Sequence, residues 1–224
     1  MNRLCFPVIS DEDVSRLAVC AHGLPTDRRH DVYDDFLGNL FLMVLDMMMR
    51  GTTVNNALAF YRRNARAQVY DLPTLKSTLA RFDNDRVGNT GLAQYLWGNS
   101  HWTRAEMLRR LVPFFESSGV TDQESLVTWA KAADFRRDFQ GQVKGLGCAA
   151  FQWLTMRCGV ETVKPDVHTG RFTERCLDRA LTDNDIVELV TRTARQVGMP
   201  VRSLHLAIWE RESGQRELDS RAAR

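Results

Sequence analysis

Val143-Lys144-Gly145-Leu146-Gly147-Cys148-Ala149-Ala150-Phe151, followed by Val163-Lys164-Pro165-Asp166-Val167-His168, is the stretch on which the reading of this chain turns. A Gly-Leu-Gly turn between two helical patterns exposes backbone N–H groups that can hold a phosphate. The Pro-Asp pair at the start of the next helix can present a carboxylate. Each part has an ordinary structural role as well. A tight helix–helix turn needs glycine for positive φ with or without a ligand, and an aspartate after proline is a good helix N-cap.

Working outward, 224 residues suffice for one domain of two lobes with a sizeable core. Hydrophobic residues at 44% and charged residues at 26% are ordinary for a globular chain, and a net charge of +2 offers no bulk attraction to nucleic acid. Any such attraction must come from local clusters. The cysteines at 5, 20, 148, 158 and 176 form no Cys-x-x-Cys pair and have no histidines at zinc-finger spacing, so no metal, iron–sulfur cluster or other cofactor is expected and the thiols read as reduced. Asp11-Glu12-Asp13 interrupts the N-terminal region before a long apolar run can form, and Asp46 breaks the longest apolar stretch. Neither a secretory signal nor a membrane span is expected, and the cytoplasm is the expected location.

Helical periodicity dominates. Leu37, Leu40, Phe41, Val44, Leu45 and Met48 share one face of a helix ending near Gly51, with Met47 to Met49 as core filling. Val54 to Tyr70 follows, with Ala57, Leu58 and Tyr61 inward and Arg62, Arg63 and Arg66 outward as a solvated face or a phosphate track. Further helices are read at Leu75 to Phe82, Leu92 to Trp97, Thr103 to Phe115 with Pro113 as a kink or stop, and Ser125 to Phe139 carrying Lys131, Arg136 and Arg137. The pattern resumes at 149–157, 167–180, Asp185 to Val197 and Val201 to Trp209, roughly ten helices in all. The connection 159–165 is a lobe boundary, and 211–224 reads as a frayed polar tail.

Val143, Gly145, Leu146 and Gly147, with Asp166, His168 and Arg171 about twenty residues on, resemble the helix-hairpin-helix DNA glycosylase superfamily. The resemblance is specific over about 135–175. It implies an all-α, two-lobed fold: a helical-barrel lobe over about 30–158 that includes the hairpin, and a second lobe from 1–29 with 159–210. Hairpin and aspartate are then expected at the interlobe cleft, acting on double-stranded DNA from which one damaged or modified nucleotide has been extruded. Gly145, Leu146, Gly147 and Lys144 would hold DNA phosphate. Asp166 would be catalytic, stabilising the positive charge that develops on the sugar as the N-glycosidic bond breaks and activating water. Where bifunctional members carry a lysine, two positions after the second hairpin glycine, this chain has Ala149. The resemblance therefore implies a monofunctional enzyme that leaves an abasic site; a monomer is expected.

Trp97, Asn99, His101, Trp102 and Trp153 are the candidates for reading the extruded base, since such a base offers a flat face and a hydrogen-bonding edge. The tryptophans are equally natural core residues, and His168 can be a packed residue as readily as a proton carrier. Repair of a damaged base, removal of hypermodified bases from phage DNA, and a non-catalytic DNA-binding module in which Asp166 is only a cap are the functions left open.

Overall fold

The computed structural model describes residues 9–25, 32–47 and 49–222, with side chains described as far as 214. Among these residues all regular structure is helical: α1 (Asp11–Ala21), α2 (Phe36–Leu45), α3 (Gly51–Asn64), α4 (Leu72–Ala80), α5 (Arg86–Trp97), α6 (Trp102–Ser117), α7 (Gln123–Ala132), a single π-helical turn (Phe135–Phe139), α8 (Cys148–Arg157), α9 (Val167–Leu177), α10 (Asp183–Gln196) and α11 (Val201–Ala222). The chain divides into two compact units, a central one, Val32–Val160, and a terminal one that joins Met1–Asp31 to Glu161–Arg224.

The central unit is built on α2, whose buried Leu37, Leu40, Phe41, Val44 and Leu45 cover almost its whole circumference, as befits a core helix. It packs on α3, α6 and α8, and α5 packs on α3 and α6. The Phe41 ring meets Tyr61 and Trp97 edge-on at 4.8 and 5.6 Å, a geometry that adds about 0.5–1.5 kcal/mol per pair beyond burial. Trp97 is thus packed in the core of the central unit, 2% exposed.

Local chemistry moves several boundaries away from those the pattern predicts. Gly51 begins α3 and does not end α2, which stops at Leu45 with Asp46 as its C-cap. Met48 lies outside the described residues, and Met47 and Met49 pack partly buried against the core. α3 ends at Asn64, and the segment after it is held by the Tyr61 hydroxyl, which donates to the Val69 carbonyl at 2.7 Å. Asp71 and Asp85 cap α4 and α5, so the helices start at Leu72 and Arg86, ahead of the predicted Leu75 and Leu92. Pro113 neither stops nor shortens α6, because Leu108, Leu111, Val112 and Phe115 are buried on either side of it. The expected single helix Ser125 to Phe139 breaks at Ala133, and Asp134 restarts the chain as the π turn by accepting from the Arg137 N–H at 3.0 Å.

The terminal unit packs α1 against α9 and α10, and α11 against α9 and α10. α10 is the clearest amphipathic helix of the chain, with Ile186, Leu189, Val190, Thr193 and Ala194 inward at three- and four-residue steps. α1 was not foreseen from periodicity. It is set by a capping box, in which Ser10 accepts from the Asp13 N–H while the Asp13 carboxylate accepts from the Ser10 N–H. Burial raises the Asp13 carboxyl, but the Ser10 hydrogen bonds and Arg179, at 2.8 Å, outweigh it and hold the group below its usual value. The segment read as a polar tail from 211 begins inside α11. Backbone helix continues to Ala222, and the buried Glu212 carboxylate pairs with Arg175, which ties down the turn after Trp209.

Candidate functional site

The hairpin lies in the central unit. Val143 and Leu146 are buried and anchor it, and the Leu146 N–H donates to the Val143 carbonyl at 3.1 Å to close the turn. Lys144, Gly145 and Gly147 are exposed between these anchors. Gly145 sits at φ +93°, and a Cβ there would lie 2.8 Å from Met107 Cε. Gly145→Ala is therefore expected to cost about 1–2 kcal/mol, mainly from left-handed backbone strain because a methionine tip can yield; urea denaturation measures it. Gly147 is the extended N-cap of α8 and carries no side-chain cap, so the first turn of α8 presents its dipole and amides without a competing side chain.

Aromatic packing fixes the hairpin from both sides. Phe139, on the π turn that enters it, and Phe151, on α8 that leaves it, stand 5.6 Å apart, and Trp129 reaches Phe151 at 5.8 Å. The element before the hairpin is thus one π turn braced by α7, where the sequence predicts the end of a long helix. The three basic residues expected ahead of the hairpin divide accordingly. Lys131 and Arg136 are exposed, and Arg137 pairs with Asp138 at 2.7 Å. Of the outward arginines of α3, Arg62 contacts the Tyr33 hydroxyl, Arg66 lies 3.8 Å from Asp35, and Arg63 is exposed.

Asp166 lies in the terminal unit, as the N-cap of α9. Its Oδ1 accepts from the N–H groups of His168 and Thr169, both at 3.0 Å, and from the Thr169 hydroxyl at 3.3 Å. All three contacts fall on one oxygen, and Oδ2 makes none among the described residues. The residue is half-buried. The carboxylate is thereby held rigidly by one oxygen and keeps the other for a ligand, a water or a reacting centre. Pro165, buried just before it, fixes the entry of the chain. The His168 ring packs edge-on against Trp209 at 5.9 Å with its Nδ1 buried and unpartnered, and Arg171 is exposed.

The remaining base-reading candidates are scattered over the central unit. Asn99 turns inward on its own loop, its Oδ1 accepting from the His101 N–H at 3.1 Å. His101 is exposed at the start of α6, and Trp102 carries the Arg86 guanidinium 5.7 Å from its ring. Trp153, half-buried on α8, holds the guanidinium of Arg157 at 5.2 Å. Arg157 was not singled out in the sequence. Its one signal there is a charge within an otherwise apolar turn, one helical turn after Trp153. A groove of about 450 Å³ beside Trp129, lined by Ser118, Asp122 and Thr128, contains none of the predicted site residues.

Among the described residues no cluster of histidine, cysteine or acidic side chains could hold a metal ion, and no helix is long and apolar enough to cross a membrane. Cys20, Cys148, Cys158 and Cys176 are in no disulfide, and Cys5 lies outside the described residues. Burial pushes the Cys158 thiol up to about 11.

Fold and sites together define an all-helical protein with a glycine turn on one unit and a capping carboxylate on the other. The chain belongs to the family described as a domain of unknown function (DUF8548), whose model matches residues 48–213 and so includes both features. No curated protein matches the chain.

Proposed function

We propose that this protein is a monofunctional DNA glycosylase that extrudes a damaged or modified base from duplex DNA and hydrolyses its N-glycosidic bond to leave an abasic site. The observation that carries the reading is the asymmetric use of Asp166: Oδ1 is committed to the α9 cap, and Oδ2 is not engaged by any described residue. A rigid anion of this kind is what a sugar carrying developing positive charge needs, and preorganised charge is stabilising there without reorganisation during the reaction. The hairpin supports the same reading. Its exposed glycines and uncapped helix start suit a DNA phosphate, with Lys144 beside them. Ala149, where bifunctional relatives of the resembled superfamily place lysine, offers no amine to attack the sugar.

A second reading draws on the same cap. Because Asp166 accepts from two backbone N–H groups, it fulfils a purely structural role as well, and the chain would then be a DNA-binding module without catalysis. Duplexes carrying a panel of deaminated, alkylated and hypermodified bases, incubated with protein and then treated with hot alkali, separate the two. Strand breaks support the enzyme, and binding without breaks supports the module. Under either reading duplex affinity is expected to fall steeply and linearly on a log–log plot as salt rises, because neutralised phosphates release counterions. A flat salt response in a fluorescence-anisotropy titration would remove DNA as the partner.

A further inference from the structure

Arg157, at the end of α8 in the central unit, is 2% exposed, and a guanidinium that deep requires acceptors for its five N–H groups. Nη2 donates to the Asn39 carbonyl at 3.0 Å. Nε and Nη1 are buried and have no hydrogen-bond partner among the described residues. Asn39, in contact with it from α2, is fully buried too. Its Nδ2 donates to the Tyr33 carbonyl at 2.8 Å and to Gln123 Oε1 at 3.2 Å, and its Oδ1 has no partner. Two touching residues therefore hold spare donors and a spare acceptor in the interior, beneath the flat face of Trp153.

Burial pulls the Arg157 pKa down to about 10 against the opposing influence of Asp46, so the group is still a cation at neutral pH. A buried cation short of acceptors destabilises a fold, and well-packed apolar side chains often replace such groups at no loss of stability. A sequence that keeps one in this condition has a functional reason more readily than a structural one.

We propose that Arg157 and Asn39 form the polar floor of a binding site for a flat ring carrying a carbonyl beside a ring N–H, the lactam edge of a keto nucleobase, with Trp153 as its wall. The inference rests on the glycosylase reading and gives it a substrate class. Guanidinium offers donors alone, which match a carbonyl oxygen, and Asn39 Oδ1 accepts from the neighbouring N–H. Adenine and cytosine place an amino group where the carbonyl would be and lack that ring N–H, so their donors would face those of Arg157. Trp153 is half-buried, so its indole is the part of this cluster that meets solvent.

1-Methyluracil and 9-methylhypoxanthine, with 1-methylcytosine, 9-methyladenine and 1,3-dimethyluracil as controls, are titrated into the whole protein while tryptophan fluorescence is followed. In the wild type the two keto bases are expected to bind at least about tenfold more tightly than the controls, the last of which lacks the N–H. Arg157→Met is expected to lose this preference with Tm within about 3 °C of wild type or above it. Arg157→Lys, which keeps a cation but not the planar fork, is expected to lose most of it as well. Equal responses to all five bases, or no response to any, would overturn the inference. Should Arg157→Met fail to fold, undiminished preference in Arg157→Lys overturns it and lost preference supports it. The underlying reading fails separately: keto-base binding with no alkali-labile site in any duplex would remove the glycosylase and leave this site standing.

Discussion

Asp166→Asn is expected to lower excision by about three orders of magnitude or more while leaving the fold almost unchanged. Asparagine caps helices about as well as aspartate, so the N–H groups of His168 and Thr169 keep their acceptor. The neutral amide gives up the negative charge opposite the developing cation and, with it, a favourable interaction of about 0.3–1 kcal/mol with the α9 dipole. Asp166→Ala removes the cap too and should cost about a further 1 kcal/mol in stability. Alkali-labile strand breaks measured against time, with urea denaturation of the same samples, separate the two roles. An Asp166→Asn protein that excises at the wild-type rate would show that Oδ2 faces no reacting centre.

Phe139→Ala should produce the largest loss of stability among single changes near the hairpin, about 3–5 kcal/mol. The ring is fully buried, 5.3 Å from Phe114, tilted against Phe151 at 5.6 Å and edge-on to Trp129 at 6.5 Å. Truncation leaves a cavity at the centre of this cluster, and rigid helices on three sides limit its collapse. With native stabilities of about 5–15 kcal/mol, a loss of this size is a large fraction of the total. The urea midpoint reports it. Amide hydrogen exchange at 143–147 should accelerate in the same variant, because the π turn that enters the hairpin hangs on this side chain. Unchanged exchange there would mean that α8 alone positions the hairpin.

The helical class and most inward faces were legible because burial repeats every three to four residues. Leu40, Phe41 and Val44 on α2 and Ala57, Leu58 and Tyr61 on α3 are where the pattern places them. What periodicity could not give was punctuation by short polar side chains. Ser10 and Asp13 create α1, and Asp134 splits one expected helix into α7 and a π turn, through hydrogen bonds that leave no apolar trace. Asp166 was legible as a helix cap, and the cap is what the structure contains; the commitment of one oxygen only is a matter of geometry that sequence does not encode. Among the base-reading candidates Trp97 went to the core because an indole fills interior space as well as it reads a base. Arg157 escaped notice because a single charge in an apolar turn usually marks the rim of a helix, and here the surrounding helices cover it.

The terminal unit is assembled from both ends of the segment order: α1 rests on α9 and α10, which are made well over a hundred residues later. During synthesis, therefore, Val14 and Leu17 emerge from the ribosome long before the surfaces that will cover them exist, whereas every partner of α2 has been translated by the end of α8. Vectorial folding should begin with the middle of the chain and close with its flanks. Nascent α1 would spend that interval as a natural client for holdase chaperones.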